Sequence, residues 1–404
     1  MTPVELSRTV LSAVRRAVDV GELSVGVPER VVVTPPRPGG CGDYATNIAL
    51  RLARSAGQPA PVVAQVLRGH LLGLDGIDDV TVTGPGFLNI SLRDADAEAA
   101  LVRLVEDVRR SGERYGYAPP ATGAPETTGT PRATGTPRSP ATGSPQPTPT
   151  VLELCCPREV RAVVVADVVA RLLRSQGGEG RVVCASPVPA DWEWVLGVHV
   201  DAPGHVDAPG EDTPHGLRVP VRVRVRPVPV SADPLPLGRD AARWALLHPA
   251  GHDRPRIGHD GPRIGADHDD HDERHRHLVQ RESNPLFRVR YAHARTRALG
   301  RNAADLGFGA EAGPVDVAPP ELFTLLADHP RVLARAADHR APDVLARHLV
   351  SVADAVLPFL ATVLPRGEEK PSAAHRARLA LAEAAGTVLT GGLSLLGIDA
   401  PEHL

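Results

Sequence analysis

Arginine is concentrated in one short segment, NPLFRVRYAHARTRALG, at residues 284–300. The segment and its continuation contain five: Arg288, Arg290, Arg295, Arg297 and Arg301. A guanidinium is a planar fork of N–H donors that suits phosphates and base edges, and its plane can stack on unpaired bases. This chemistry predicts contact with RNA. The alternative is a solvated arginine face in a chain poor in lysine.

A second set of side chains has metal-binding chemistry and lies in low-complexity sequence. Its members are His252, His259, His268, Asp269, Asp270, His271, Asp272, His275 and His277. Three of the histidines, His268, His271 and His275, have the spacing of metal ligands on a helix, and imidazoles with carboxylates bind zinc or nickel. Low-complexity sequence produces such triplets easily. We therefore expect a disordered, pH-sensitive loop and no physiological metal site.

The four cysteines offer little chemistry. They are Cys41, Cys155, Cys156 and Cys184, and no two are separated in the C-x-x-C pattern. The adjacent pair has no evident base to activate a thiol. We expect this pair to be buried or merely tolerated, and we assign no catalytic residue from it.

The composition limits the kind of partner. The formal net charge of the 404 residues is −3, which excludes a wholly basic nucleic-acid coat and leaves a local patch. Of the 45 basic residues only Lys370 is a lysine. Neither a signal peptide nor a run of ~18 apolar residues is evident. We expect a cytoplasmic protein that contacts no membrane.

Composition shifts divide the chain. Between 118 and 150 Thr-Gly-x-Pro units repeat without apolar periodicity, which is typical of a flexible linker. The predicted units are 1–117, an α/β unit; 118–150, the Thr/Pro/Gly-rich linker; 151–247, short strands with two helices; 248–277, the His/Asp-rich loop; and 278–404, four or five helices.

Helical periodicity predicts which face of the arginine-rich helix is buried. Phe287, Tyr291, Ala294 and Ala298 recur at i, i+4, i+7 and i+11, which favours them as the core-facing stripe. The arginines at 290, 297 and 301 then share a neighbouring face. Tyr291 and His293 are expected to be structural more often than RNA-binding.

Both ends of the chain resemble a known family. GDYATNIALRLAR (42–54) and GPGFLNISL (84–92) resemble the N-terminal tRNA-elbow domain of arginyl-tRNA synthetases. NPLFRVRYAHAR (284–295) and GGLSLLGIDAPEHL (391–404) resemble their helical anticodon-binding domain. The resemblance implies a multidomain α+β and α protein. It would have an N-terminal α/β elbow domain, a truncated Rossmann-like remnant and a C-terminal all-α anticodon-binding bundle.

The resemblance also implies RNA contacts at named residues. Phe87 and Asn89 match the family positions whose ring and amide meet a D-loop base, and stacking with an amide hydrogen bond suits a splayed base. The alternative is that Phe87 is a buried strand residue and Asn89 satisfies a turn. The five arginines fall on the helix that approaches the anticodon arm. Arg288 and Arg290 replace the usual aromatic and amide residues, so specificity for arginine tRNA is open.

The resemblance fails at the reaction centre. The position of the family's ATP-binding H-x-G-H signature reads Cys156, Pro157, Arg158 and Glu159. The following helix keeps Asp167 and Arg171. Glu159 would place negative charge where a triphosphate must sit. A chain with one lysine, Lys370, also cannot contain the family's lysine loop.

Three functions remain open on these grounds. The first is a tRNA-binding pseudo-synthetase that needs no cofactor. Its expected partner is tRNA, arginine tRNA above all, and a protein partner is also possible. DNA is not expected as a partner. The second is a divergent arginine–tRNA ligase, alone or with a partner subunit, which would need ATP and Mg²⁺. The third is a protein-interaction scaffold that no longer binds RNA.

Overall fold

The computed structural model describes residues 3–34, 36, 41–119, 151–203, 221–257 and 276–404, with only the backbone at 3, 4 and 94–97. The predicted linker at 118–150 and the His/Asp-rich loop therefore lie largely outside the described residues.

The N-terminal unit packs three helices against an antiparallel sheet whose order is β1-β2-β4-β3. Its elements are α1 (Pro3–Asp19), β1 (Val33–Thr34), β2 (Tyr44–Thr46), α2 (Ile48–Ala56), α3 (Ala60–Leu71), β3 (Ile77–Thr83) and β4 (Phe87–Leu92). Leu6, Val10, Ala13 and Val14 of α1 are fully buried, as helical periodicity requires. This unit has a hydrophobic core of its own.

A Gly-Pro-Gly turn joins β3 to β4. Gly84 and Gly86 have φ values of +53° and +128°, which L side chains rarely adopt. A Cβ at Gly86 would also lie 3.0 Å from Ala60. The turn sets the start of β4 and therefore the positions of Phe87 and Asn89.

The middle unit is a parallel α/β sheet. Its elements are β5 (Val151–Cys156), α5 (Val160–Ser175), β6 (Glu179–Cys184), α6 (Ala190–Leu196), β7 (Ala202–Pro203), β8 (Val221–Arg224) and α7 (Gly238–Leu247). The strand order is β7-β6-β5-β8, so the winding direction reverses between β5 and β8. In open parallel sheets ligands bind at the carboxyl ends of the strands that flank such a reversal. Here that edge holds the start of α5.

Four long helices form the C-terminal bundle. They are α8 (Pro285–Asp305), α9 (Pro320–Asp338), α10 (Pro342–Phe359) and α11 (Ala373–Leu396). The bundle shares one hydrophobic core with the middle unit. The combination of an N-terminal α/β unit, a small parallel sheet and an all-helical end confirms the predicted fold class.

Helix α4 (Asp94–Ser111) belongs to this second core, although the sequence assigned it to the N-terminal unit. Its apolar residues Leu101, Leu104, Val105 and Val108 pack with the bundle and the middle unit. The N-terminal core includes no residue beyond Leu92 among those described.

Two bundle segments, Pro342–Thr362 and Ala373–Leu396, are long and apolar enough to cross a membrane. Their apolar windows are 50% and 78% buried against the rest of the protein. Long apolar helices at the centre of a helical bundle have this character, because burial inside protein also selects apolar residues.

Candidate nucleic-acid interface

The start of α8 is fixed by Asn284. Its side-chain oxygen accepts a hydrogen bond from the Leu286 amide at 3.1 Å, and its Nδ2 donates to the carbonyls of His277 and Val279. Pro285 occupies the first turn, where a missing amide hydrogen is harmless. The cap sets where the helix begins.

The buried face of α8 differs from the predicted one. The buried residues are Leu286, Val289, Ala292, His293, Ala294, Thr296, Leu299 and Ala303. Of the stripe predicted to face the core only Ala294 is buried, so that prediction is wrong. Tyr291 is 38% exposed and stacks on Phe287 with ring centroids 5.6 Å apart.

Polar residues on the buried face explain the error. The ring of His293 contacts the carbonyl of Pro401 through Nδ1 at 3.1 Å, and burial lowers the pKa of this imidazole. The hydroxyl of Thr296 donates to the His293 carbonyl at 2.7 Å. Both side chains have hydrogen-bond partners inside the protein, so they can be buried without an unsatisfied polar group. The apolar pattern had predicted that this face of the helix is exposed to solvent.

Most arginines of α8 contact carboxylates of this chain. The pairs are Arg288 with Asp354 at 2.8 Å, Arg290 with Asp240, Arg297 with Glu402 at 2.8 Å, and Arg301 with Glu402 at 3.9 Å. Sequence analysis could not detect these pairs, since the acidic partners lie 50 to 105 residues away along the chain. The pairs reduce the positive charge that this helix presents.

Arg295 is the exception. It is exposed and, within the described part of the chain, its side chain has neither a hydrogen bond nor an ion pair. It lies one helical turn after Tyr291, so a ring and a guanidinium stand side by side on the outer face. This arrangement offers stacking for an unpaired base and a charge for a phosphate.

The two elbow residues differ in their surroundings. Asn89 is 5% exposed, and its Nδ2 donates to the Thr83 hydroxyl at 2.7 Å across the β3–β4 hairpin. Phe87, at the start of β4, is half-buried. The amide nitrogen of Asn89 therefore already has a partner in the protein, whereas part of the Phe87 ring remains accessible. Their role in RNA binding stays a prediction.

The start of α5, at the reversal of the parallel sheet, is closed by a carboxylate. Glu159 accepts hydrogen bonds from the amides of Arg161 at 3.1 Å and Ala162 at 2.8 Å. The amide of Val230, in the segment after β8, also lies 3.5 Å from this carboxylate. Amides at a helix start are the groups that would otherwise hold a phosphate. Here Glu159 occupies them, while Arg158 is exposed.

Two buried arginines connect α5 to the segments packed around it. Arg161 donates to five backbone carbonyls, of Val228, Leu246, Pro249, Ala250 and Asp253. Arg243 pairs with Asp167 at 2.6 Å and donates to the carbonyls of Leu196 and Leu396. Both side chains are fully buried, and sequence analysis identified neither as important. They join α5, α7 and the end of α11.

The cysteines beside this helix start are buried, as expected. Cys155 is 2% exposed and Cys156 is fully buried, and all four cysteines are free thiols. Burial raises the pKa of the Cys156 thiol, and neighbouring Cys184 raises it further. A thiol held protonated in this way is a poor nucleophile.

Of the histidine-rich tract, His252 and His277 are among the described residues. His259, His268, His271 and His275 lie outside the described residues. Within the ranges that the structure describes, no group of three or more metal-ligating side chains comes together. The described residues therefore do not test the metal-site alternative.

Comparison with protein families identifies both ends. Residues 5–92 match the arginyl-tRNA synthetase N-terminal domain, and residues 289–404 match the DALR anticodon-binding domain. An arginine–tRNA ligase from Frankia alni is 27% identical over 562 aligned positions that cover 100% of both chains. A second, from Renibacterium salmoninarum, is 42% identical over 126 residues, or 30% of this chain and 22% of the relative. Since this chain has 404 residues, the longer alignment includes many positions that it lacks.

Solved structures share the fold. Arginyl-tRNA synthetase from Thermus thermophilus superimposes with a TM-score of 0.60 at 14% identity, and the enzyme from Plasmodium falciparum with 0.65 at 9%. Each comparison covers 100% of both chains. At such low identity the likeness concerns the fold alone.

Proposed function

We propose that this chain, whose two ends match the N-terminal and anticodon-binding domains of arginyl-tRNA synthetases, binds tRNA in the cytoplasm and does not aminoacylate it. The observation that carries the proposal is the contrast between the outer face of α8 and the start of α5. The first leaves a ring and a guanidinium available. The second is closed by Glu159.

The RNA-binding half of the proposal rests on the outer face of α8. Tyr291 and Arg295 lie one turn apart, both exposed, on the helix at the start of the anticodon-binding domain. A ring and an unpaired guanidinium are the groups that hold splayed bases and their phosphates in single-stranded RNA loops. Arginine tRNA is the partner that the two family domains favour.

The non-catalytic half rests on Glu159 and on the lack of lysine. The helix-start amides that would bind a phosphate hold the Glu159 carboxylate at 2.8 and 3.1 Å. A triphosphate there would have to displace this carboxylate and would meet its repulsion. The single lysine, Lys370, is exposed in the loop before α11 and is not part of the parallel α/β unit.

The test is a titration with labelled arginine tRNA and an unrelated tRNA at physiological salt, alongside an assay of ATP- and arginine-dependent charging. We expect selective binding without charging. Measurable charging would overturn the non-catalytic half of the proposal. Absence of binding to either tRNA would overturn the RNA-binding half and favour a protein-interaction scaffold.

A divergent ligase is the second candidate, because the Frankia alni arginine–tRNA ligase aligns along the whole of this chain. In that case ATP and Mg²⁺ would bind near the sheet reversal, and Glu159 would have to leave the helix start. The charging assay distinguishes the two functions directly. Repeating it with a conventional arginyl-tRNA synthetase present tests the further possibility of a partner subunit.

A further inference from the structure

The C-terminal segment 399–404 lies along α8. Gly397 ends α11 with φ +70°, and the buried Ile398 anchors the chain beside the core. From there the carbonyl of Asp399 accepts from Arg290 Nε at 2.9 Å, and the carbonyl of Pro401 contacts His293 at 3.1 Å. These backbone contacts hold the segment against α8 independently of the side chain of Glu402.

Glu402 then reaches the two remaining paired arginines. Its Oε1 accepts from Arg297 Nε at 3.0 Å and from Nη2 at 2.8 Å, and its Oε2 lies 3.9 Å from Arg301. The hydrogen bonds from Arg297 lower the pKa of Glu402, so the carboxylate is charged at neutral pH. An anionic oxygen held on one edge of a guanidinium is also the way arginine holds a phosphate.

The charged partners are accessible to solvent. The side chains of Arg297 and Glu402 are 52% and 53% exposed, and that of Arg301 is 43% exposed. Ion pairs this exposed are weak, since water and salt compete with them. A polyanion that brings several phosphates to this face can therefore replace one carboxylate.

We infer that Glu402 is a built-in competitor of RNA phosphate at Arg297 and Arg301, and that bound RNA displaces its carboxylate. The inference rests on the proposed function only in naming RNA as the polyanion. It differs from a static salt bridge in one respect: removal of the Glu402 charge should strengthen RNA binding.

The experiment compares the wild-type chain with Glu402→Gln, using arginine tRNA and a series of salt concentrations. Glu368→Gln is the matched control, because Glu368 is exposed in the loop before α11 and has no ion pair among the described residues. We expect Glu402→Gln to bind roughly two- to fivefold more tightly at low salt, the range of an exposed ion pair. The slope of log K against log salt should steepen by about 0.7–0.9 for each additional phosphate that the variant neutralises.

Further variants locate the increase in affinity. Adding Arg297→Gln to Glu402→Gln should abolish the increase, and Arg297→Gln should weaken binding less in the wild-type chain than in Glu402→Gln. Unchanged or weaker binding by Glu402→Gln, with the wild-type salt slope, would overturn the inference and leave Glu402 as a residue that positions Arg297.

A column of immobilised heparin separates this inference from the proposed function. A sulfated polyanion should retain Glu402→Gln to a higher salt concentration than both wild type and Glu368→Gln. If no variant binds tRNA but this shift appears, the proposed function fails and the competitor role stands. If tRNA binds and both readouts of Glu402→Gln equal those of the control, only the competitor role fails.

Discussion

The arginines of the middle unit and those of α8 differ in burial and in partners. Arg161 and Arg243 are fully buried, and their donors go to backbone carbonyls and to Asp167. On α8, Arg297 is half exposed with one carboxylate, and Arg295 is exposed without a partner in the described chain. The comparison shows that a count of arginines says little about RNA binding. Burial and spare donors decide which arginines can meet a ligand.

The largest effect is expected from Arg243→Gln. It would leave the buried carboxylate of Asp167 with Arg171 alone, at 3.2 Å, and would break two hydrogen bonds to carbonyls. Breaking a buried pair typically costs about 3–5 kcal/mol of unfolding free energy. Chemical denaturation followed by circular dichroism measures the loss. The same change at exposed Arg295 should alter stability by no more than ~0.5 kcal/mol, and equal losses in the two variants would break the comparison.

The pH dependence of stability tests the effect of burial on two histidines of the bundle. His329 and His348 stack at 5.2 Å in the bundle, and Nδ1 of one and Nε2 of the other lack hydrogen bonds in the described structure. Burial lowers the pKa of His348 to about 4. The folded protein then keeps this ring neutral while the unfolded chain takes up a proton below pH ~6.5. Stability is full above that pH and falls towards pH 4.

The drop from His348 alone should be roughly 2 kcal/mol between pH 7 and pH 5. Thermal unfolding of wild type and of His348→Leu at both pH values tests it. The variant should lose less stability on acidification than wild type does. An identical pH dependence in the two proteins would show that His348 does not titrate as its burial indicates.

Tyr291→Ala tests whether the exposed face of α8 binds RNA. Loss of a stacking ring typically weakens RNA binding by about 1–3 kcal/mol, and Arg295→Gln should weaken it less. Filter binding of arginine tRNA measures both. Lys370→Gln, which removes the same charge from an exposed loop, is the control for Arg295→Gln. If all three variants bind like wild type, the outer face of α8 is not the RNA surface.

The smallest effect is expected at Glu159. Glu159→Ala removes the acceptor for two amides at the start of α5, and loss of such a cap costs about 1 kcal/mol. Denaturation measures the cost, and Arg158→Ala, at the exposed neighbouring residue, should be close to neutral. A stable Glu159→Ala variant that binds ATP would show that the carboxylate blocks a nucleotide site that is otherwise intact.

Sequence patterns predicted the elements better than their contacts. The helical region predicted over 278–404 is present as four long helices. The start of α8 and the β3–β4 hairpin are set by local signals, the Asn284-Pro285 pair and the Gly-Pro-Gly turn. The sequence also places Glu159 just before a helix, which the structure begins at Val160. In each case the determining residues are close together in the chain.

The rest depended on partners far away in the chain. The buried role of Arg243 requires Asp167, 76 residues away, and the carbonyl of Leu396, 153 residues away. Carbonyl acceptors leave no trace in residue types, so Arg161 could not be distinguished from a surface arginine. The buried face of α8 was predicted wrongly for a related reason. His293 can be buried because its ring contacts the carbonyl of Pro401, which is distant in the chain.

The near-absence of lysine gives the chain an unusual chemical handle. Lys370 is exposed in the loop between α10 and α11 and carries the only side-chain amine in the sequence. An amine-reactive fluorophore would therefore label one side chain, in addition to the α-amine of the chain, without any engineering. Since the arginines of α8 do not react with such reagents, the dye would leave the proposed RNA surface chemically intact.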